Sequence, residues 1–541
     1  MRHKMNHIVK TLLLVTFTMI SNYVVMATDG VPSKVGEPCT FTEGVRYSQL
    51  VINSRINDFK ANTTASGFGI YDAQGNVLEK PQNSKSNLDY VPGLVAKAIL
   101  ETIDYYKDCD VSTVAPWFYA VQNYGNQYDI ASAGKQGQSF DDLNAVKLYF
   151  KLATLAASGR FTNGTANATT ATTVKKRFAD ALSGIAKANT TYVIKESTLA
   201  GAAGGWWHKS SYVDQMWCDG QYMGPALLAQ MINEYADYHP ITADDWDLIV
   251  RQFTISWHYL WNDEVKLLYH AFTAAPGGNA ASKWAGVSAT KGAEIYHSAE
   301  YWGRAEAWYF LALVDVLEQM QVAGMTASAS YQTLRDNLQK LAAGIAAKQD
   351  VATGCWYQLL NHDGTFVAQT YNSSYRYTSS PVANYLESSC TAIFTAAYLK
   401  GMRLGLFDAD YTVLAKKAYQ GFVNQFMVSD GKGGVHLVKC CKSAGLGGSN
   451  YRDGTAEYYL MGKDTEPTTT TGSNFYTEGK VLGGFILAAT EYERLTDATS
   501  VKAIRMQTAD DDVVYSLTGQ RLQQEPRRGI YLKAGKAYIK R

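Results

Sequence analysis

An all-α fold is predicted for this chain of 541 residues, because one kind of segment recurs along it. Each copy opens with polar, aromatic or glycine residues and continues as an apolar run rich in Ala, Leu and Gly. Six copies occur between residues 43 and 495, and helices that are apolar nearly all round must be buried. The copies begin at Leu88, Phe140, Met216, Tyr301, Leu386 and Tyr476.

Helices of a second kind lie between these copies and carry charge on one face. Examples begin at Val174, Asp244 and Tyr331, and their amphipathic pattern is typical of helices that cover a buried layer. Six buried helices that alternate with covering helices close into a ring, so the sequence predicts an (α/α)6 barrel of six helical hairpins. The polar and aromatic starts of the inner helices would meet at one mouth, beside the long loops 271–298 and 362–385.

The two ends of the chain differ from the predicted barrel. Residues 1–27 have a basic start, an apolar run and a small-residue cleavage site, which predict a signal peptide and export to the periplasm, the cell surface or the medium. The barrel is predicted for residues 28–499 and a short strand-rich segment for residues 500–541. This last segment resembles the C-terminal segments of some secreted bacterial proteins, which act as sorting signals. No later apolar run reaches transmembrane length.

The composition argues against several classes of partner. With a formal net charge of +1, the chain lacks the excess of basic residues that is typical of proteins that bind nucleic acid. Seven cysteines without a CxxC pair, and histidines without zinc spacing, argue against a metal site and allow one disulfide at most. We therefore expect neither a metal nor a cofactor. The 37 Tyr and 11 Trp residues are typical both of stacking on sugar rings and of a thick packed core.

The stretch from Gln215 to Leu228, QMWCDGQYMGPALL, contains the most informative acidic residue. Asp219 stands where a helix enters an apolar interior. Desolvation at such a place disfavours the charged form of a carboxyl group, which can then donate a proton near neutral pH. The structural alternative is an Asp that caps the start of the helix.

Polar and aromatic residues open the other inner helices as well. His208 lies in GGWWHKSSY and His270 in LLYHAF. A guanidinium such as that of Arg304 binds a carboxylate through two parallel hydrogen bonds, so Arg and His beside a sugar site favour an acidic sugar. The helix-opening residues are Tyr90, Asp141, Asp142, Asn144, Trp217, Asp219, Trp302, Arg304, Glu387 and Glu478.

Several stretches together resemble the unsaturated rhamnogalacturonyl hydrolases of glycoside hydrolase family 105, in the family 88/105 group. In chain order they are QMWCDGQYMGPALL, YWGRAEAWYFLALVDVL, GCWYQLL, ESSCTAIFTAAYLKGMRLG and AGLGGSNYRDGTAEYYL, and the resemblance covers roughly residues 45–495. It implies an (α/α)6 barrel, with Asp219 as catalytic acid and either Asp141 or Asp142 as a second acidic site residue. The pocket-lining residues that it implies are His208, Trp217, His270, Trp302 and Arg304, and Tyr90 joins them through its place at a helix start.

The resemblance also implies a reaction. Substrates of this family are oligosaccharides left by polysaccharide lyases, and their terminal uronic acid has a C4=C5 double bond. Asp219 would protonate C4, water would add at C5, and the resulting hemiketal would open to release the rest of the chain. The implied partner is therefore an oligosaccharide that ends in an unsaturated uronic acid, with galacturonyl groups from rhamnogalacturonan, a pectin component, as the expected source.

Two departures from the family pattern concern specificity. Glu306 stands where the family usually has Asn, and we expect it to add a negative charge near the acidic sugar or to form an ion pair with Arg304. Glu300 is a second expected partner for Arg304. The insertion 271–298 is the other departure.

Structural roles and other functions stay open for the same residues. His208 and His270 could be core histidines, Asp141 or Asp142 a helix cap, and Glu387 and Glu478 links between helix starts. An inverting hydrolase, a polysaccharide lyase and a non-catalytic glycan-binding protein are the alternative functions.

Overall fold

The computed structural model describes residues 30–540 with fourteen gaps, so the predicted signal peptide 1–27 lies outside the described part. The gaps are 62–63, 83–88, 127–138, 162–195, 200, 235–242, 275–283, 286–295, 450, 469–474, 508–513, 517–520, 523–528 and 534–535. Backbone alone is described for residues 142–143, 243–244 and 498–540. The chain divides into two compact units, Met1–Thr490 and Glu491–Arg541.

Each of the six apolar runs contains helix. The inner helices are α2 (Tyr90–Tyr105), α4 (Phe140–Asn144) continued by a 3-10 turn (Ala145–Lys147) and α5 (Leu148–Ala157), α6 (Cys218–Met223) continued by α7 (Pro225–Glu234), α9 (Gly303–Val322), α11 (Ser388–Arg403) and α14 (Gly479–Gln507). The remaining helices are α1 (Tyr47–Arg55), α3 (Val111–Asn126), α8 (Ala243–Leu260), α10 (Ala329–Ala346), α12 (Thr412–Phe426) and α13 (Ala456–Met461).

The inner helices form a closed ring. Helix α2 packs on α4 and α5, α4 packs on α6, and α9 packs on α6, α7 and α11. The last helix, α14, closes the ring through two adjacent glycines. A methyl group on Gly484 would lie 2.9 Å from the Ile393 side chain of α11, and one on Gly483 would lie 2.6 Å from Leu94 of α2. The missing side chains therefore allow α14 to lie against both neighbours.

The outer helices cover this ring. Helix α3 packs on α2, α8 on α7, α10 on α9 and α12 on α11. Helix α1 lies beside α3, where the Trp117 indole N–H donates to Asn53 at 2.8 Å. The covering helix predicted from Val174 falls in the gap 162–195 and is outside the described residues.

The apolar run that begins at Met216 opens with a strand. Residues Gln215–Trp217 form a strand, β5, that pairs antiparallel with β8 (Ala271–Thr273), and β8 pairs with β9 (Tyr296–His297). The helical run therefore begins at Cys218 and not at Met216. Pairing with a strand that is remote in the sequence is a tertiary effect, which a local helical pattern does not report.

Small antiparallel pairs make up the rest of the strand content of the barrel unit. They are β1 (Phe59–Ala61) with β2 (Thr64–Ser66), β3 (Ile70–Tyr71) with β4 (Val77–Glu79), β6 (Trp261–Asn262) with β7 (Leu267–Leu268), β10 (Val367–Ala368) with β11 (Val382–Ala383), and β12 (Met427–Ser429) with β13 (Val435–Leu437). The loop 362–385 contains β10 and β11, whereas much of 271–298 falls in gaps.

The second unit contains the C-terminal strands. Helix α14 continues to Gln507, and the strands begin at Val514. Strands β14 (Val514–Ser516), β15 (Arg521–Leu522), β16 (Gly529–Lys533) and β17 (Lys536–Lys540) form one antiparallel sheet in the order β15-β14-β16-β17.

Candidate active site

A cavity of about 140 Å³ lies among the N-terminal ends of inner helices. Seven of the predicted site residues line it, and they are Tyr90, Asp141, His208, Trp217, Asp219, Trp302 and Arg304. His270 lies behind this lining, in contact with Asp219. The side chain of Asp142 is outside the described residues. The helix starts therefore meet at one mouth.

Asp219 lies in the first turn of α6, directly after strand β5. The Cys218 N–H donates to the His270 carbonyl at 3.0 Å, which continues the β5–β8 pairing up to the residue before Asp219. Asp219 Oδ2 lies 3.3 Å from His270 Nε2, and the Asp219 side chain is 16% exposed. Neither of these two atoms completes a hydrogen bond within the described structure. A slight rotation of either group would bring them into one.

The His270 ring is fully buried, and it links Asp219 to Tyr459. Its Nδ1 lies 2.7 Å from the Tyr459 hydroxyl. Burial lowers the pKa of His270 despite the nearby Asp219, and burial raises the pKa of Tyr459 well above its usual value. Both groups are therefore neutral near pH 7.

The neutral His270–Tyr459 pair can form a hydrogen bond with Asp219 whether Asp219 is protonated or ionised. When Tyr459 donates its O–H to Nδ1, the proton on Nε2 faces a carboxylate. When Nδ1–H donates to the Tyr459 oxygen, Nε2 faces a protonated carboxyl group as an acceptor. Asp219 can thus give up a proton and regain it without a new buried charge beside it.

Asp141 carries the second carboxylate of the cavity. Its Oδ1 lies 3.2 Å from His208 Nε2, and its Oδ2 lies 2.7 Å from Lys209 Nζ. Burial alone would raise the pKa of Asp141, but the charges of His208 and Lys209 hold it well below its usual range. Asp141 is therefore ionised, and it is not a proton donor.

Parallel aromatic rings form one wall. The Trp217 ring stacks on Tyr212 at 5.1 Å and on His208 at 5.5 Å between centroids. Gly220 makes room for the His208 ring, because a methyl group on Gly220 would lie 2.9 Å from Nδ1. Broad ring faces of this kind are suited to the faces of sugars.

The alternative role of Arg304, an ion pair with Glu306 or Glu300, is wrong. Arg304 Nη1 donates to the Cys441 carbonyl at 2.5 Å and to Ser389 at 3.2 Å. Its ion-pair contact is with Glu387, at 4.0 Å. The guanidinium also lies 4.5 Å from the Trp302 ring centroid. Its partners therefore come from the start of α11 and from the segment after β13.

Glu300 and Glu387 have other roles in the structure. The Glu300 carboxylate lies 3.2 Å from His362 Nε2 and accepts from the Asn361 amide at 2.8 Å. Glu387 caps α11, since its Oε2 accepts the Cys390 N–H at 2.7 Å. Its Oε1 accepts the Cys441 N–H at 2.8 Å, which links the start of α11 to the segment after β13.

Glu306 does not add a negative charge to the cavity, so that expectation is also wrong. Its side chain is fully buried, and it is not among the cavity-lining residues. Burial raises the pKa of Glu306 well above its usual value. The helix N-terminus favours an anion by about 0.3–1 kcal/mol, whereas a buried unpaired charge costs several kcal/mol. Burial therefore disfavours the charged form of Glu306.

Several cavity residues were not singled out from the sequence. They are Lys209, Tyr212, Met223, Ser443, Ala444, Gly445 and Arg452. Most of them lie inside the stretches HKSSY and AGLGGSNYRDGTAEYYL, which were quoted for other reasons. Only the packing of these loops shows which side chains face the cavity.

Arg452 is held in a fixed orientation at the cavity. Its Nε donates to Asp464 Oδ2 at 2.8 Å, and the same oxygen accepts the Tyr451 O–H at 2.6 Å. Nη1 lies 3.1 Å from the position that a methyl group on Gly445 would occupy. The Nε of Arg452 is bound to Asp464, so the two terminal nitrogens of the guanidinium remain to donate hydrogen bonds in the cavity.

Comparison with known proteins gives the family. The model described as Glycosyl Hydrolase Family 88 matches residues 70–496. This chain belongs to that family. Protein Atu3128 of Agrobacterium fabrum is 33% identical over 191 residues, which are 34% of this chain and 68% of that protein.

Solved structures support the fold of this family 88 protein. A family 105 glycoside hydrolase from C. acetobutylicum ATCC 824 has a TM-score of 0.58 and 24% identity, over 83% of this chain and 99% of that one. A possible GH105 member from Salmonella enterica has a TM-score of 0.52 and 16% identity, over 83% and 93%. The predicted (α/α)6 barrel, the predicted membership of the 88/105 group and the assignment as a glycoside hydrolase are confirmed.

The room at Gly220 provides a test of the site geometry. We expect Gly220→Ala to displace the His208 ring and to lengthen its contact with Asp141, because the new methyl group would lie 2.9 Å from Nδ1. A crystal structure of the variant measures both distances. Gly125→Ala is the control, since a methyl group there meets only side-chain ends, at 3.1 Å or more. An unmoved His208 ring in Gly220→Ala would contradict the prediction.

Proposed function

We propose that this family 88 glycosidase removes a 4,5-unsaturated uronic acid from the non-reducing end of an oligosaccharide. The observation that carries the proposal is the position of Asp219, a partly exposed carboxyl group set against a buried neutral His270. Substrate protonation at carbon and water activation both require one group that gives up a proton and then takes one back. The His270–Tyr459 pair supports such a cycle.

The proposed reaction consumes one water molecule. Protonated Asp219 transfers its proton to C4 as the C4=C5 electrons form the new C–H bond. Water adds to C5, and the Asp219 carboxylate accepts a proton from it. The product is a hemiketal at C5. Its opening breaks the bond from C5 to the ring oxygen and leaves a ketone at C5 and a hemiacetal at C1. Collapse of this hemiacetal to an aldehyde breaks the bond from C1 to the remaining oligosaccharide, which leaves with a hydroxyl group. Asp219 is then protonated again, so the enzyme returns to its starting state.

Other residues have supporting roles in this proposal. Asp141 stays ionised beside His208 and Lys209, and it can accept hydrogen bonds from sugar hydroxyls. The stacked rings of Trp217 and Tyr212 provide a flat wall for the sugar. We propose an unsaturated galacturonyl group, of the kind that lyases leave on rhamnogalacturonan fragments, as the sugar released.

Arg452 is the group that we propose for carboxylate recognition. Arg304 Nη1 already serves the Cys441 carbonyl and Ser389, and the Arg304 side chain is 2% exposed. The Arg452 side chain is 28% exposed and lines the cavity. Asp464 already restricts the rotation of the Arg452 side chain, so less conformational entropy is lost when Arg452 binds a carboxylate.

The substrate test uses the ultraviolet absorbance of the conjugated double bond. We expect the purified protein to remove the absorbance of unsaturated galacturonyl disaccharides, because hydration abolishes the conjugation. Asp219→Asn keeps the shape but not the transferable proton, so turnover should fall by roughly a thousandfold or more.

Circular dichroism checks that the Asp219→Asn variant is folded. Activity of wild-type protein on unmodified polymers alone would shift the function to an inverting hydrolase or a lyase. A folded variant with nearly full activity would place the acid elsewhere.

Arg452→Gln tests the carboxylate contact. We expect KM to rise roughly tenfold or more with little change in kcat, since a charge-assisted hydrogen bond contributes about 1.5–3 kcal/mol. Steady-state kinetics on the disaccharide measure both constants. Arg403→Gln is the control, because this 39% exposed Arg lies at the far end of α11. An unchanged KM would transfer recognition to Arg304 and Lys209.

We also propose that the protein is exported, on the basis of the basic start and apolar run of residues 1–27. None of the helices in the described residues is long and apolar enough to cross a membrane. N-terminal sequencing of the protein from its native host should find Thr28 as the first residue. An uncleaved chain retained in the cytoplasm would contradict export.

A further inference from the structure

Glu306 lies in the first turn of α9, two residues after Arg304, and contacts the segment that contains His270. Its Oε1 accepts the Leu268 N–H at 2.6 Å. Its Oε2 has no hydrogen-bond partner in the described part of the chain. No Lys, Arg or His side chain of the described residues forms an ion pair with it. The contact of Glu306 with the protein is therefore chiefly that of a hydrogen-bond acceptor.

Leu268 ends strand β7, and the next two residues are Tyr269 and His270. On its other side this segment is held by Cys218, whose N–H donates to the His270 carbonyl at 3.0 Å and whose Sγ donates to the Tyr269 carbonyl at 3.2 Å. Residues 268–270 are thus held by α9 through Glu306 and by the start of α6, which also contains Asp219. A third contact is the Tyr269 N–H, which donates to the Leu260 carbonyl at 3.0 Å beside the β6–β7 pairing.

We propose that Glu306 is a positioning residue that, by accepting the Leu268 N–H, holds the His270 ring against Asp219. The inference rests on the proposed function, in which the His270 contact lets Asp219 give up and regain a proton. Without the Glu306 anchor, the Leu268 N–H would be left buried and unpaired, and β7 would shift toward another acceptor. The His270 ring would then leave its place 3.3 Å from Asp219.

The length of the side chain matters in this proposal. Asn, which occupies this place in the family pattern described above, is one methylene shorter than Glu. It would fall short of the Leu268 N–H unless α9 or β7 moved. The side chain of Gln has the same length as Glu, is always neutral and retains the acceptor oxygen. Glu306→Gln keeps the acceptor oxygen and Glu306→Ala removes it. Comparing the two variants therefore shows the effect of the accepted hydrogen bond.

Steady-state kinetics on an unsaturated galacturonyl disaccharide test the inference. We expect Glu306→Ala to lower kcat roughly 10–100-fold, the effect of misplacing a catalytic contact by about an ångström. KM should stay within about threefold, because Glu306 does not line the cavity. Glu306→Gln should restore kcat to within about threefold of the wild-type value. Leu313→Ala, a buried change two turns along α9, is the control for loss of stability alone.

Hydrogen–deuterium exchange of the peptide that spans residues 262–273 provides a readout that needs no substrate. Exchange should accelerate in Glu306→Ala and remain slow in Glu306→Gln and Leu313→Ala. Wild-type kcat in Glu306→Ala, or equal losses in the Gln and Ala variants, would overturn the inference. If the wild-type protein fails to act on the disaccharide, the proposed function fails, and the exchange data still decide whether Glu306 anchors this segment.

Discussion

The pairing of strand β5 with strand β8 determines where the central side chains of the site lie. Gln215–Trp217 and Ala271–Thr273 are joined by a backbone ladder, and the hydrogen bond from Cys218 to His270 extends it by one step. His270 precedes Ala271 of β8, and Asp219 follows Cys218, so this register places their side chains close together. A slip by one residue would turn the side chains of the shifted strand to the opposite face of the sheet. The barrel positions the helices, but the β5–β8 ladder brings the Asp219 carboxyl group next to the His270 ring.

Charge in the interior of the barrel follows a consistent pattern. Glu387 and Arg304 lie in the same buried region, and Glu478 is paired with Lys480, both fully buried. Asp141 contacts Lys209. Glu306 differs, because no ion pair with it is found among the described residues. Since buried charges are stable only with partners, burial disfavours the charged form at Glu306, whereas the other three carboxylates have cations nearby.

The sequence predicts the helices of the barrel better than it predicts the side-chain contacts of the site. An apolar run on all sides of a helix reports burial directly, so the inner helices from Leu88, Tyr301 and Leu386 were recognisable. The motif around Asp219 likewise drew attention to the cavity. The partner of Arg304 could not be predicted, because it comes from α11 and from Cys441, which are far away in the sequence. Arg452 was missed for the same reason, since loop packing alone turns it toward the cavity.

Closure of the ring by α14 has a consequence for biogenesis. The contact of Gly483 with Leu94, and the hydrogen bond of Thr102 with Thr490 at 2.8 Å, join the first inner helix to the last. Contacts so remote along the chain form late and slowly, because the intervening loop must close first. A nascent chain that lacks α14 leaves the apolar faces of α2 and α11 uncovered. Such an intermediate is prone to aggregation until α14 has been synthesised and has covered these faces.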